Sequence, residues 1–184
     1  MQPSIVRDIM VPLADYATVH QDATLHEAVQ ALKEAQNKFI QNRYQHRAVL
    51  VYDNKDRIVG KLSQLDVLRS LEPKYEGLDE LNELALLHVD VDYIRKMMDE
   101  YGLWKKPIDD ICRKASTLRV KDIMHKPAKG EYVEESESIN TAIHQLILGK
   151  QQSLLVTREK DIVGILRLAD VFKKVCELID SCEI

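Results

Sequence analysis

The apolar positions of this chain follow one succession of spacings, and the succession occurs twice. Ala17-Thr18-Val19-His20 is a short extended piece. Leu25, Ala28, Val29 and Leu32 then fall three and four residues apart, which predicts a helix with one buried stripe. Asp22 and Thr24 are both candidate N-caps for it, since each offers a side-chain oxygen to an orphan amide. Ala48-Val49-Leu50-Val51-Tyr52 is an apolar run closed by the turn signal Asp53-Asn54-Lys55-Asp56. Arg57-Ile58-Val59-Gly60-Lys61-Leu62 answers it as the second arm of a hairpin. Such near-continuous apolar strands predict burial on both faces. Gly60 is expected to end a tight turn, and Asp66 to open a helix carrying Val67, Leu68 and Leu71.

The second succession repeats the first. Val6-Arg7-Asp8-Ile9-Met10 matches Val120-Lys121-Asp122-Ile123-Met124 at an offset of 114, and the same offset pairs Val19 with Val133 and Ala28 with Ala142. Ser138, Ile139, Ala142, Ile143, Leu146 and Ile147 repeat the helical stripe. Leu154 to Thr157 and Asp161 to Leu166 form a second hairpin, followed by Asp170 and a helix with Val171, Phe172 and Val175. Here the offset has fallen to 104, pairing Gly60 with Gly164 and Asp66 with Asp170. The first copy thus carries extra residues, most simply Gln36 to Gln45. A duplicated unit of order strand–helix–strand–strand–helix is expected to pack about a pseudo-two-fold axis. The division is 1–72 for the first repeat, 73–117 for an insert and 118–184 for the second repeat.

The insert has its own rhythm. Leu78, Leu81, Leu84, Ala85, His88, Val91, Ile94, Met98 and Tyr101 predict a long amphipathic helix ending near Gly102. Trp104 and Pro107 mark a break, and Ile108 to Arg113 read as a short second helix. Such an arm either covers an apolar face of the repeats or docks a partner or second copy; the stripe alone fits both.

Composition narrows the setting. The 184 residues are 45% hydrophobic and 30% charged, the balance of a globular protein. A formal net charge of -4 argues against general nucleic-acid or anionic-membrane binding and leaves room for a local basic pocket. Three cysteines without a CxxC pair argue against a zinc site and suit a reducing compartment. No signal peptide or membrane-spanning run is read, so the expected location is cytoplasmic. No GxSxG, HExxH, P-loop or GxGxxG motif is present, and catalysis is not expected. Asp90-Val91-Asp92 and Glu134-Glu135 read as solvated faces rather than metal ligands.

Candidate chemistry gathers where a strand meets a helix. A carboxylate at a helix start can accept hydrogen bonds from two vicinal hydroxyls, and Asp66 is so placed, with Ser63 three residues before it. Asp66 can equally serve only to cap its helix. His46 and Arg47 precede a strand, where Arg offers a planar fork of donors to phosphate oxygens and His assists when protonated. Lys38 and Arg43 either add charge over a phosphate tail or lie in a solvated loop.

Asp8-Ile9-Met10, Thr24-Leu25-His26-Glu27-Ala28, His46-Arg47 and Gly60 to Asp66, in order and with the first and last motifs repeated, resemble the cystathionine-β-synthase (CBS) domain family. The resemblance covers both repeats and leaves out the insert. It implies an α+β CBS-domain pair, or Bateman module, of two pseudo-two-fold-related β-α-β-β-α repeats. In such pairs a cleft between the copies often holds an adenosine-containing ligand, and modules commonly dimerise through their helices. The implied ligand is AMP, ADP, ATP or S-adenosylmethionine, with no cofactor required and an effector protein as partner. Ser63 and Asp66 would hold the ribose, while Val11, Pro12, Thr18 and Val19 map to positions lining the adenine pocket or belong to ordinary core packing. The second copy departs from the pattern: Arg167 stands in the serine's place, though Asp170 is kept. Arg167 either fills that site by pairing with Asp170 or reaches across the cleft to phosphates. A single good site on the first copy is the preferred reading. The competing function is an assembly module that uses the fold without a ligand.

Overall fold

The computed structural model describes residues 4–38, 47–71, 90–102 and 109–181. Two small sheets carry the repeats. In the first, β2 (Thr18–His20) runs parallel to β3 (Ala48–Tyr52), which pairs antiparallel with β4 (Ile58–Ser63). In the second, β5 (Tyr132–Glu134) runs parallel to β6 (Ser153–Arg158), which pairs antiparallel with β7 (Asp161–Arg167). Helix α1 (Leu25–Lys38) and helix α2 (Gln64–Leu71) complete the first repeat. The insert contributes α3 (Val91–Tyr101) and α4 (Asp109–Thr117), a single turn α5 (Val120–Ile123) follows, and α6 (Ile139–Leu148) and α7 (Leu168–Asp180) complete the second repeat. This is the α+β pair read from the sequence.

The strand register refines the repeat. Leu50 matches Leu155 at an offset of 105, and the offset of 104 begins only past the hairpin turn. Most of the first copy's extra length therefore lies before β3, and one extra residue lies in the turn. The turn at Asp53 is tied by its carboxylate, which accepts from the Lys55 and Arg57 amides at 2.8 and 3.0 Å. Asp56 takes the left-handed conformation there, as Glu159 and Lys160 do in the second hairpin.

The opening segment of each repeat does not stay with that repeat. Residues 5–12 cross to the second sheet: the Val6 and Arg7 amides donate to the carbonyls of Glu137 and Glu135 at 2.9 Å, and β1 (Val11–Pro12) pairs with β7. Residues 119–125 cross the other way. The Val120 and Lys121 amides donate to the carbonyls of Ala23 and Gln21, and His125 exchanges both backbone bonds with Lys61. The cores follow this exchange. Val6 is fully buried among Val133, Ile139, Ala142, Leu154 and Leu166, and Val120 among Val19, Leu25, Ala28, Val49 and Leu62. A third cluster of Val11, Tyr16, Leu50, Leu155 and Ile165 joins the two sheets. Alternate residues of β3 thus face different cores, Val49 and Val51 toward α1 and Leu50 toward the other sheet, which explains its unbroken apolar run.

The crossing corrects the expectation that the glycines end turns. Gly60 and Gly164 lie within β4 and β7. A Cβ at Gly164 would sit 2.5 Å from the Val11 carbonyl oxygen, and one at Gly60 would sit 2.6 Å from Met124 Sδ and 3.0 Å from the His125 carbonyl oxygen. Each glycine makes room for the other repeat's crossing segment.

Of the two candidate caps for α1, Thr24 serves. Its hydroxyl accepts from the Glu27 amide at 3.2 Å, and the Glu27 carboxylate accepts from the Thr24 amide at 2.6 Å, a reciprocal capping box. Asp22 pairs with Lys121 at 2.8 Å instead. In the insert, α3 is capped by Asp90, whose carboxylate accepts from the Tyr93 amide, and ends at Gly102 in the left-handed conformation. The predicted part of that helix before residue 90 lies outside the described residues. Val91, Ile94, Met98 and Tyr101 are exposed, so the described part of the arm does not bury its stripe. Of the Glu134-Glu135 pair, Glu134 is exposed as read, while Glu135 is buried and held by Arg158 through two bonds of 2.6 and 2.8 Å.

Candidate functional site

An open cleft of about 1630 Å³ runs between the repeats, walled by the ends of β4 and β7, the starts of α2 and α7, and the crossing segments. Its two ends are built alike and furnished differently.

At the first end, Ser63 closes β4 and is the N-cap of α2. Its hydroxyl accepts from the Asp66 amide at 3.2 Å and donates to Asp66 Oδ2 at 2.6 Å, and its own amide donates to the same oxygen at 2.8 Å. Asp66 is therefore the third helical residue and does cap the helix. Only Oδ2 is used; Oδ1 accepts no hydrogen bond from a described residue. Arg47 is exposed on the same wall, its carbonyl accepting from the Gln64 amide at 3.0 Å.

Beside Ser63 lies an ionic group. Glu131, buried, receives Lys61 Nζ on Oε2 at 2.6 Å, and on Oε1 the Ala128 amide at 3.0 Å and His125 Nε2 at 2.5 Å. Burial pushes this carboxyl's pKa up, but the bonds from Lys61, Ala128 and His125 outweigh it and hold the value at about 2. The carboxylate is thus ionised, so His125 Nε2 carries the proton that faces it.

At the second end, Arg167 occupies the place of Ser63. It holds Asp170 as a fork, Nε to Oδ2 and Nη2 to Oδ1, each at 2.6 Å. Tyr16 stands close by; burial raises its phenol to about 12, with Arg167 lowering it and Asp170 raising it in smaller measure. The wall here is apolar, with Met10 and Val11 in the positions that Met124 and His125 hold at the first end. Lys150 and Lys173 also line the cleft.

Of the residues singled out in the sequence, Ser63, Asp66, Arg47, Val11, Arg167 and Asp170 line this cleft. They do not form one cluster, because the crossing puts Val11 beside Arg167 and Asp170 rather than beside Ser63 and Asp66. Pro12 is exposed on the edge strand opposite Gly164, Thr18 opens on a smaller hollow with Asp15 and Glu34, and Val19 is buried in the first core. His46 and Arg43, and the side chain of Lys38, lie outside the described residues. Sequence reading missed Lys61, His125, Glu131 and Tyr16. The repeat itself held the signal for His125, which stands 114 residues after Val11. Among the described residues no group of His, Cys, Asp and Glu is arranged to hold a metal ion, and no helix is long and apolar enough to cross a membrane.

The fold recurs widely. The CBS domain of a CBS-domain-containing membrane protein from Sphaerobacter thermophilus superposes with a TM-score of 0.60 at 19% identity, covering 94% of this chain and 88% of that one. CBSX2, solved in complex with AMP, gives 0.58 at 19% identity over 95% and 98%. The CBS domain of a bacterial CNNM/CorC-family Mg2+ transporter, solved with ATP, gives 0.59 at 18% over 94% and 87%. No curated protein matches the chain. The CBS-domain family model matches residues 6–73 and again 120–177. With both matches on repeats that exchange their opening segments and share one cleft, the chain belongs to the CBS-domain family and is a tandem CBS pair.

Proposed function

We propose that this pair is a regulatory module that binds an adenosine-containing ligand in its cleft and passes occupancy to a partner protein. The observation that carries the reading is the Ser63–Asp66 unit on the cleft wall. Capping and diol binding are compatible there, because the cap uses one carboxylate oxygen and leaves the other to accept from a sugar hydroxyl. Arg47 on the same wall suits a phosphate. Two proteins of the same fold were solved with AMP and with ATP, which supports a nucleotide in the cleft. A ligand touching both repeats favours one arrangement of them, the requirement for signalling.

Calorimetric titration with AMP, ADP, ATP and S-adenosylmethionine tests this. Binding by at least one of them, lost in Asp66→Asn with the thermal transition retained, supports the reading. No heat from any at millimolar concentration sinks it.

A second reading, assembly, has its own observation. Leu65 and Leu68 on α2, Phe172 and Ile179 on α7, and Ile147 and Leu148 on α6 are large apolar side chains left exposed. We assign them to a homodimer interface formed by the repeat helices. Light scattering on the wild type and on Leu68→Glu/Phe172→Glu checks it: the wild type runs as a dimer and the variant as a monomer.

A further inference from the structure

The pseudo-two-fold relation gives the cleft two equivalent positions, and the side chains make them unequal. At the first, one carboxylate oxygen of Asp66 accepts from no described residue. At the second, both oxygens of Asp170 are taken by Arg167, at 2.6 Å each. The two side chains are 8% and 14% exposed, so the pair is almost out of water. A sugar diol arriving at Asp170 must displace a guanidinium bonded to both carboxylate oxygens, and its neutral hydroxyls bring no charge to balance the carboxylate. It would also strip a buried guanidinium of its carboxylate. Neither cost arises at Asp66.

We propose that Arg167 is a built-in occupant of the second position. The cleft then takes one ligand per chain, at Ser63–Asp66, and removing the guanidinium opens a second site. The proposal rests on the reading of the cleft as a nucleotide site and adds its stoichiometry and the residue that sets it. It also fixes what the ligand meets. The apolar wall of Met10 and Val11 belongs to the blocked position, while the open one is flanked by Lys61 and His125.

Equilibrium dialysis of the full chain against ATP and against AMP, with bound nucleotide counted per chain, tests this. The wild type is expected to hold one nucleotide and lose it in Asp66→Asn. Arg167→Ser, which restores the hydroxyl found at position 63, is expected to hold two. Adding Asp66→Asn to it returns the count to one. Two nucleotides on the wild type, or one that survives Asp66→Asn and is lost in Asp170→Asn, overturns the proposal and leaves the nucleotide reading standing. An Arg167→Ser protein that melts cooperatively yet still holds one also overturns it. A wild type that binds no nucleotide overturns both. Should Arg167→Ser not fold, the wild-type count together with Asp66→Asn and Asp170→Asn decides the matter.

Discussion

Gly164 is held to glycine by a backbone atom, since the Val11 carbonyl oxygen lies 2.5 Å from where a Cβ would be. At Gly60 the nearest atom is the sulfur of Met124, a flexible side chain that can give way, with the His125 carbonyl oxygen next. Gly164→Ala is therefore expected to cost roughly 2–3 kcal/mol of stability, and Gly60→Ala less, read from chemical denaturation midpoints. Glu131 gives a prediction in pH. Its pKa falls from the ordinary 4.5 to about 2 on folding. A depressed carboxyl stabilises the fold fully above its unfolded pKa and loses that contribution as pH falls through the folded one. The advantage of wild type over Glu131→Gln is thus expected to be constant above about pH 5 and to shrink steadily from about pH 4.5 to 2. Thermal melts of both proteins across that range check it; an unchanging difference would show that the carboxylate charge is not what matters.

At the level of elements, helix starts carry the most legible physics. Thr24 with Glu27 and Ser63 with Asp66 are the same reciprocal box, and Ser138 caps α6 through the Thr141 amide at 3.1 Å. Thr24→Ala is expected to lose about 1 kcal/mol, the usual value of a cap, without touching the cleft. Nucleotide affinity measured beside stability separates this from Asp66, where the cap and the proposed site share a residue. The insert helix α3 shows the limit of periodic reasoning. Its stripe, its Asp90 cap and its Gly102 stop all agree with a helix, yet Val91, Ile94 and Met98 remain exposed. Spacing reports that one face is apolar and says nothing of what it meets.

For the whole molecule, the exchanged segments make the two repeats one cooperative unit. Val6 completes the second core and Val120 the first, so neither half owns a complete core. The chain is expected to unfold in a single transition, with calorimetric and van't Hoff enthalpies in agreement. A fragment spanning 118–184 lacks Val6 and β1 and is expected not to fold alone. Val6→Ala, a deletion of two buried carbons with a cavity left behind, is expected to lower the stability of the entire chain by roughly 2 kcal/mol. Two separated transitions in wild type, with Val6→Ala moving only one, would show that the halves fold independently.

Local rules act within a few residues, and the sequence alone was enough for whatever depends on them. It established the duplication, the order of strands and helices, the α+β class, Thr24 among the possible caps, the stop at Gly102 and the resemblance that the family match bears out. Asp66 and Arg167 were visible as candidates because each sits a fixed step from a strand end. Which residues stand together was not legible, because sequence distance says nothing about which sheet a crossing segment joins. The resemblance maps Val11 to a position lining the adenine pocket; the exchange sets it on the strand of Arg167 and puts His125 against the strand of Ser63. Our preference for Arg167 as plug over Arg167 as reaching arm rests on the 2.6 Å fork to Asp170 and on the burial of the pair, neither of which spacing along the chain reports. The glycines were evident in the sequence, but their reason lay across the pseudo-two-fold axis, in the crossing segment of the other repeat, far off along the chain.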